Sequence, residues 1–374
     1  MAEQVLCSLL GSTPIMTVVA LSLVNPFKYA FVSAKVSALL AKLLSSHQYK
    51  RLIDADSLGD ALDSLRQTHY GSAVADLEVG EDFSLMLDKA IYGVVQKMMW
   101  RMLQYSPNIV RPFLRSVIER EEHRALKSVL KAILMGVDAS HAVSKIAPFG
   151  RYTPDVCLDI IREGSSEKAL DYVKDSSLRK EISSALTGKM EEEFVFEVDM
   201  IVERHSIQKL VSESKRFKGI DKEKIKVLLG YEADIRNIVS TFRAVNLGLS
   251  TDEARRFWIP FHLHITEAKL ALMVEAEDAS KSISLIPDIY KNITHGLRGS
   301  EREFLSTLEL SGERYLASKY VGTFAGYRLH IGLIWAYLRR LMYEASDIRT
   351  ILIGKVYDFR PVEIENKLIL PNLH

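Results

Sequence analysis

The sequence predicts an all-α protein made of three similar helical bundles, and three observations carry that prediction. The first is a recurrence. The stretch Glu122–Gly136, EHRALKSVLKAILMG, is matched in frame by Asp234–Gly248, DIRNIVSTFRAVNLG, 112 residues on, and by Glu344–Asp358, EASDIRTILIGKVYD, a further 110 on. The second is that no run of alternating polar and apolar residues is long enough to build a sheet. The third is punctuation: glycine is sparse, and the 10 prolines fall at the edges of helix-period stretches.

Within the first copy, Leu126, Val129, Leu130, Ile133 and Leu134 form one apolar helix stripe. Glu122 is expected to open that helix and Gly136 to close it, as the helix dipole and the left-handed C-terminal cap favour. The frame aligns Glu122 with Asp234 and Glu344, Leu126 with Ile238 and Ile348, and Leu130 with Phe242 and Leu352. It also aligns Ala132 with Ala244 and Gly354, and Gly136 with Gly248 and Asp358. A period near 110 divides the 374 residues into an N-terminal extension (1–26) and modules at 27–148, 149–260 and 261–374. Each module is large enough for a modest core.

Residues 1–26 stand apart. Cys7 to Val24 is largely apolar but is interrupted by Gly11, Ser12, Thr13 and Pro14, and no Lys or Arg precedes it. It therefore lacks the charged start of a secretory signal and is at the short edge for a membrane span. It is read as an extension that packs on the first module, with Met16 an alternative start.

In the first module, Val32, Val36, Leu39, Leu40 and Leu43 have helix spacing. Ser57 to Asp60 caps a short helix carrying Ala61, Leu62 and Leu65, which Gly71 is expected to end, and Val74 to Asp82 reads as a polar loop. Asp88 to Leu103 is a long helix with Ile91, Val95, Met98, Met99 and Met102 on one side, a core stripe rather than a ligand site. Pro107 and Pro112 mark the turn into the recurrent helix.

The second module repeats the plan: short helices at Asp155–Ile161 and Glu167–Val173, then a long helix from Glu191 to Leu210. Its Ala169-Leu170 corresponds to Ala61-Leu62. After Gly248, Ser250-Thr251-Asp252-Glu253 is a capping box; Asp138-Ala139-Ser140-His141 and Arg360-Pro361-Val362-Glu363 hold the same place in the other modules. The third module has short helices at Ala268–Ala279 and Ala279–Ile286, and Leu333 to Met342 leads into the last recurrent helix.

Composition narrows the function. Hydrophobic content of 48% and charged content of 26% read as soluble and globular. The 49 basic and 48 acidic residues leave +1, without the basic surplus that nucleic acid demands. Cys7 and Cys157 are far apart and form no CxxC, consistent with two reduced thiols. Gly188-Lys189 and Gly354-Lys355 lack the remaining residues of a phosphate loop, and no GxGxxG, HExxH or GxSxG occurs. His262 and His264 have no third ligand near them in sequence, and Asn292-Ile293-Thr294 is a chance glycosylation pattern. No catalytic residue, cofactor site or metal site is expected. The recurrent acids Asp88, Asp199 and Glu309, and Glu122, Asp234 and Glu344, are read as acids near helix starts or as partners of Arg124, Arg236 and Arg349.

These residues resemble a known family. Tyr29-Ala30-Phe31-Val32-Ser33-Ala34-Lys35-Val36 is similar to the "YAYVSARV" opening of the C subunit of the archaeal A-type and bacterial V/A-type rotary ATPases, the family of the d subunit of the vacuolar proton pump. Glu121 to Gly136 resembles its "DxxNLKAILRAKxxG" segment, with Ala125 where Asn is usual. Glu232 to Gly248 resembles "EIDIxNIxxxLRAKxLG", keeping Asp234, Asn237, Ile238, Arg243, Ala244 and Gly248, with Val245 for Lys. Glu344 to Lys355 resembles "ExxNLRxILxGK", with Asp347 for Asn and Arg349, Ile351, Leu352, Gly354 and Lys355 kept.

The resemblance spans about Phe27 to Leu370. It implies three helical domains around a pseudo-threefold axis, forming a funnel on the cytoplasmic face of the membrane proteolipid ring. It further implies one copy per complex, the D and F subunits of the central shaft seated in the hollow, and no active site. The charge-dense runs Arg298–Glu303 and Glu191–Glu193 are candidate contact loops. Two other readings compete: a helical-repeat adaptor for a different partner, and a helical hydrolase or lyase that would lose activity when Asp199 or Asp234 became Asn.

Overall fold

The structure, a computed structural model, describes residues 28–370 except 81, 144–145, 187–190, 277 and 295–300. The extension at 1–26, Gly188-Lys189 and Arg298 to Ser300 lie outside the described residues. The described chain is helical, with a single isolated bridge between Phe149 and Tyr152. In order, the helices are α1 (28–40), α2 (Ser46–Asp54), α3 (Leu58–Arg66), α4 (Gly71–Val74), α5 (Phe83–Tyr105), α6 (Arg111–Leu134), α7 (Ala139–Val143), α8 (Pro154–Glu163) and α9 (Ser166–Asp171). There follow α10 (Ser176–Ala185), α11 (Glu191–Ser214), α12 (Gly219–Asn246), α13 (Thr251–Arg255), α14 (Glu267–Val274), α15 (Ala279–Ser284), a 3-10 turn (Asp288–Thr294), α16 (Glu301–Gly322), α17 (Ile331–Val356) and α18 (Pro361–Glu365).

The recurrent stretches are the C-terminal halves of α6, α12 and α17. Glu122, Asp234 and Glu344 do not open these helices; they lie in mid-helix, more than ten residues from the starts at Arg111, Gly219 and Ile331. The first half of α17 escapes a periodicity search for a physical reason. In α17 every residue from Ile331 to Leu341 is buried, and a helix buried on all sides has no polar face to reveal its period. α5 likewise begins at Phe83 rather than Asp88, α3 ends at Arg66 before Gly71, and Gly71 begins α4. Glu191–Glu193 and Glu301–Glu303 belong to the first turns of α11 and α16, not to loops.

The three C-termini close alike. Gly136, Gly248 and Asp358 all have positive φ (58°, 68° and 54°), and the next amide reaches back to the carbonyl five residues earlier. These bonds are Val137 N to Ala132 O at 3.1 Å, Leu249 N to Ala244 O at 3.0 Å and Phe359 N to Gly354 O at 2.9 Å. This is the Schellman arrangement, in which a left-handed residue lets the chain satisfy the last helical carbonyls. A short helix follows each cap: α7 after Asp138, α13 after the Ser250–Glu253 capping box, and α18 with Pro361 in its first turn.

The short helices also recur. The N-caps of the paired helices α2 and α3, α8 and α9, and α14 and α15 are Ser45 and Ser57, Thr153 and Ser165, and Thr266 and Asp278, twelve residues apart each time. Ala61-Leu62 and Ala169-Leu170 are buried at the same place in their pairs.

Packing crosses the repeat boundaries. α11 lies on α6, α16 on α12, and α5 on α17. The first long helix of each repeat thus packs on the last long helix of the repeat before it, and the first repeat takes the third. With α5 on α6, α11 on α12 and α16 on α17, the six long helices touch in a closed circuit. One buried cluster spans α1–α11, the first half of α12, the end of α16, α17 and α18, while a second joins Phe196, Met200 and Ile207 of α11 and the latter half of α12 to α13–α16. Dense packing of this kind transmits displacement rather than absorbing it.

Candidate functional site

Each recurrent carboxylate is used at a seam between repeats. Asp234, fully buried, accepts from the amides of Leu263 (2.9 Å) and His264 (2.7 Å) and from the Tyr290 hydroxyl (2.6 Å), just ahead of α14. Glu344, also fully buried, accepts from the Leu44 amide (2.7 Å), just ahead of α2, and from the Tyr70 hydroxyl (3.2 Å). Glu122 meets Arg151, just ahead of α8, through the backbone amide and the side chain at 3.3 Å. Each recurrent helix therefore holds the start of the next repeat's first short helix, and the third holds the first.

Three residues further along stands a second recurrent position. Asn237 clamps Ile259, donating to its carbonyl (3.1 Å) and accepting from its amide (2.7 Å). Asp347 accepts from the amides of Ile369 (2.7 Å) and Leu370 (2.9 Å). Ala125, in the same frame, makes no such clamp. Leu126, Ile238 and Ile348, and Leu130 and Leu352, are fully buried below these positions.

Between the seams the recurrent helices meet in a charged junction. Arg120 on α6 pairs with Glu232 on α12 and with Glu203 on α11 (3.1 Å). Arg339 on α17 pairs with Glu121 on α6 (3.1 Å), lies 3.7 Å from Glu232 and donates to Tyr343 (2.9 Å). The Tyr343 hydroxyl donates in turn to Glu313 on α16 (2.9 Å), which also pairs with Arg236 on α12, and the Tyr320 hydroxyl donates to Glu232. Towards the helix C-termini, Lys127 and Arg243 converge on Asp199, and Arg243 also reaches Glu309.

Arg120, Arg339, Glu121, Glu203 and Glu232 are each at most 5% exposed, so this network is an interior one. Ionic groups this deep survive only when paired. Burial alone would raise the Glu313 carboxyl, but Arg236, then Arg339 and Arg124, outweigh it and hold it at about 2. Asp199 is likewise held at about 2, where Lys127 and Arg243 overcome its burial. Burial of Glu203 is outweighed first by Arg236 and then by Lys127, Arg120 and Arg124, which keep it well below the usual range.

A cavity of about 200 Å³ opens beside the junction, lined by Glu121, Arg124, Phe149, Glu313, Arg339 and Tyr343. Its charged walls are already bonded to one another, so the arrangement ties helices together. Among the described residues no group of three metal-type ligands occurs. His264 stacks 5.7 Å from Tyr231, and Cys157 is a buried free thiol that burial pushes up to about 12.

The expected pairing of the recurrent acids is partly corrected. Asp88 does pair with Arg349, at 2.7 Å. Asp199 and Glu309 take Lys127 and Arg243 instead of Arg124 and Arg236, while Asp234 and Glu344 bond backbone amides. Recurrence and periodicity do not single out Arg120, Glu121, Glu232 or Arg339, whereas Glu203 and Glu313 do recur, four residues after Asp199 and Glu309. The signal available was charge inside apolar helix, as where Arg339-Arg340 interrupts Leu338 and Leu341.

Comparison with known proteins bears on this architecture. The family model described as ATP synthase (C/AC39) subunit matches residues 32–367. The C subunit of the A-type ATP synthase of Methanothermobacter thermautotrophicus is 22% identical over 280 residues, covering 74% of this chain and 71% of that protein. Its counterpart in Pyrococcus horikoshii, likewise an A-type ATP synthase C subunit, is 22% identical over 331 residues, covering 86% and 85%. That of Methanocaldococcus jannaschii is 18% identical over 355 residues, covering 91% and 86%.

Proposed function

This chain belongs to the ATP synthase (C/AC39) subunit family, and on that premise we propose that it is the non-catalytic socket of a rotary ATPase central stalk. It seats the lower end of the shaft, the D and F subunits, and stands on the membrane proteolipid ring at the cytoplasmic face, one copy per complex. Its work is to pass torque between ATP turnover and ion movement. The modules at 27–148, 149–260 and 261–374 surround the hollow about a pseudo-threefold axis.

The observation that carries this reading is the closed circuit of six long helices, in which the last recurrent helix holds the first repeat. A coupler twisted from one end must resist opening between its parts, and a circuit has no loose end. The interior ion pairs add stiffness, because breaking any one of them strands a charge away from water. No helix among the described residues is long and apolar enough to cross a membrane, so in this role the described part is held to the ring by protein contacts.

The test is recovery of partners. Tagged protein is captured from gently solubilised membranes of the source organism and its companions are identified by mass spectrometry. Both shaft proteins and the proteolipid together are the expected result. Recovery of neither, from membranes in which the ATPase remains assembled, overturns the reading.

A further inference from the structure

The two ends of the helix circuit differ in charge. α5, α11 and α16 end at Tyr105, Ser214 and Gly322, and α6, α12 and α17 begin at Arg111, Gly219 and Ile331, so a turn joins each pair of long helices. Contacts bring the three turns to one end of the molecule. Phe113 meets Phe217 (6.0 Å) and Trp335 (5.3 Å) edge to face. Asp221 accepts from the Tyr29 hydroxyl (2.8 Å) and the Ile331 amide (2.9 Å), and the Ser33 hydroxyl donates to the Arg328 carbonyl (3.0 Å). α1 therefore lies at the same end, with Phe31 5.7 Å from Tyr105.

The stretches 28–35, 100–115, 215–226 and 322–331, which form this end, hold twelve Lys or Arg and two acids, Asp221 and Glu223. Asp221 is buried and engaged between helices, which leaves Glu223 as the exposed acid of these stretches. Just before them, Glu213 pairs with Arg216 at 2.7 Å. At the other end, where the recurrent helices close, the stretches 131–141, 247–256 and 356–367 hold five basic residues and six acids. The whole chain carries +1, so the basic surplus belongs to one end and is hidden in the total. Apolar side chains are exposed at both ends. At the basic end they are Phe31, Trp100, Ile109, Ile220 and Tyr327, and Lys35 lies over the rings of Phe31 (5.5 Å) and Tyr105 (5.9 Å).

We propose that this basic end faces the membrane and binds the headgroups of anionic phospholipids, which rests on the chain being the socket of a membrane ring and says which end of it is lowermost. Charge complementarity is the first ground: a cluster of Lys and Arg at a membrane surface draws anionic headgroups. The kind of base is the second. Five of the six basic residues in 215–226 are Lys, which protein interfaces disfavour but which suits a fluid headgroup layer, where attraction needs no fixed geometry. Trp100 and Tyr327 among them are the side chains that settle at headgroup depth. The third ground is the segment that arrives here. Residues 4–27 contain no charged side chain and lead into α1 at this end, so the basic surface and an apolar stretch are delivered to the same place.

Flotation of the full chain with vesicles of phosphatidylcholine, alone or with about 30% phosphatidylglycerol, reads this contact. Binding to the anionic vesicles is expected to be tighter on the order of a hundredfold, and the difference to vanish in about 1 M salt. Combining Lys218→Gln, Lys222→Gln and Lys226→Gln, all at exposed positions, is expected to weaken anionic-vesicle binding about fivefold per charge. Combining Lys131→Gln, Arg255→Gln and Arg360→Gln, at the other end, is expected to leave it unchanged. Equal binding to both kinds of vesicle, or equal losses in the two triple variants, overturns the proposal. So does a first triple variant that keeps its vesicle binding but no longer brings the proteolipid from membranes, since the basic end then meets acidic protein. Recovery of both shaft subunits and the proteolipid by a chain without vesicle preference removes the lipid contact alone. Vesicle preference in a chain that recovers none of them removes the socket alone.

Discussion

At the residue scale, one aligned position explains how a repeated sequence yields unequal joints. Asn237, Asp347 and Ala125 share a frame, yet Asn237 clamps both polar groups of one residue, Asp347 takes two amides, and Ala125 does neither. Replacing Asn237 with Ala would strand the amide and carbonyl of Ile259, which is 2% exposed. The expected cost is about 2 kcal/mol, read from denaturant unfolding, since buried groups left unbonded are penalised more than a bond is worth. Asp234 and Glu344 stood out in the sequence because acids recur there in frame, and Asn237 because it matches the family segment that Glu232 to Gly248 resembles. Their partners did not, because an amide 22 residues away in sequence, or 300 in the case of Leu44, leaves no local trace. The charged junction was hidden for a related reason: nothing in the residue types of Arg120 or Glu232 tells a buried ion pair from a solvated face.

At the element scale, the recurrent helices and their caps were legible, because amphipathic spacing and a closing glycine are properties of consecutive residues. The N-terminal half of the third was not, since its uniform burial removes the periodic signal. The caps also carry a prediction. At Gly136 and Gly248 an added Cβ would meet nothing within 4 Å, so only backbone conformation matters there. Gly136→Ala and Gly248→Ala should each cost about 1 kcal/mol, the penalty of a left-handed L residue. Asp358, at the same place in the third repeat with φ of 54°, already bears that penalty. Asp358→Gly should therefore stabilise, by somewhat less than about 1 kcal/mol because Asp tolerates this region and Gly loosens the unfolded chain. Melting temperatures of the three variants check the sign at each site; a loss of stability in Asp358→Gly would contradict the account.

At the scale of the whole molecule, closure is the property that matters and the one least visible in sequence. Three tandem bundles could as readily form an open row. Here the first long helix of each repeat rests on the repeat before it, and α5 resting on α17 joins the two ends. Family membership makes that closed body a part of an ATP synthase lineage, and the proposed work for it is torque transfer. The most direct measurement is ATP-driven ion uptake into membrane vesicles carrying the holoenzyme, beside ATP hydrolysis in the same vesicles, with this chain present, removed and added back. Removal is expected to abolish ion uptake while hydrolysis by the catalytic head persists, and added protein to restore the coupling. Ion uptake that continues at the same ratio to hydrolysis without this chain would contradict that role.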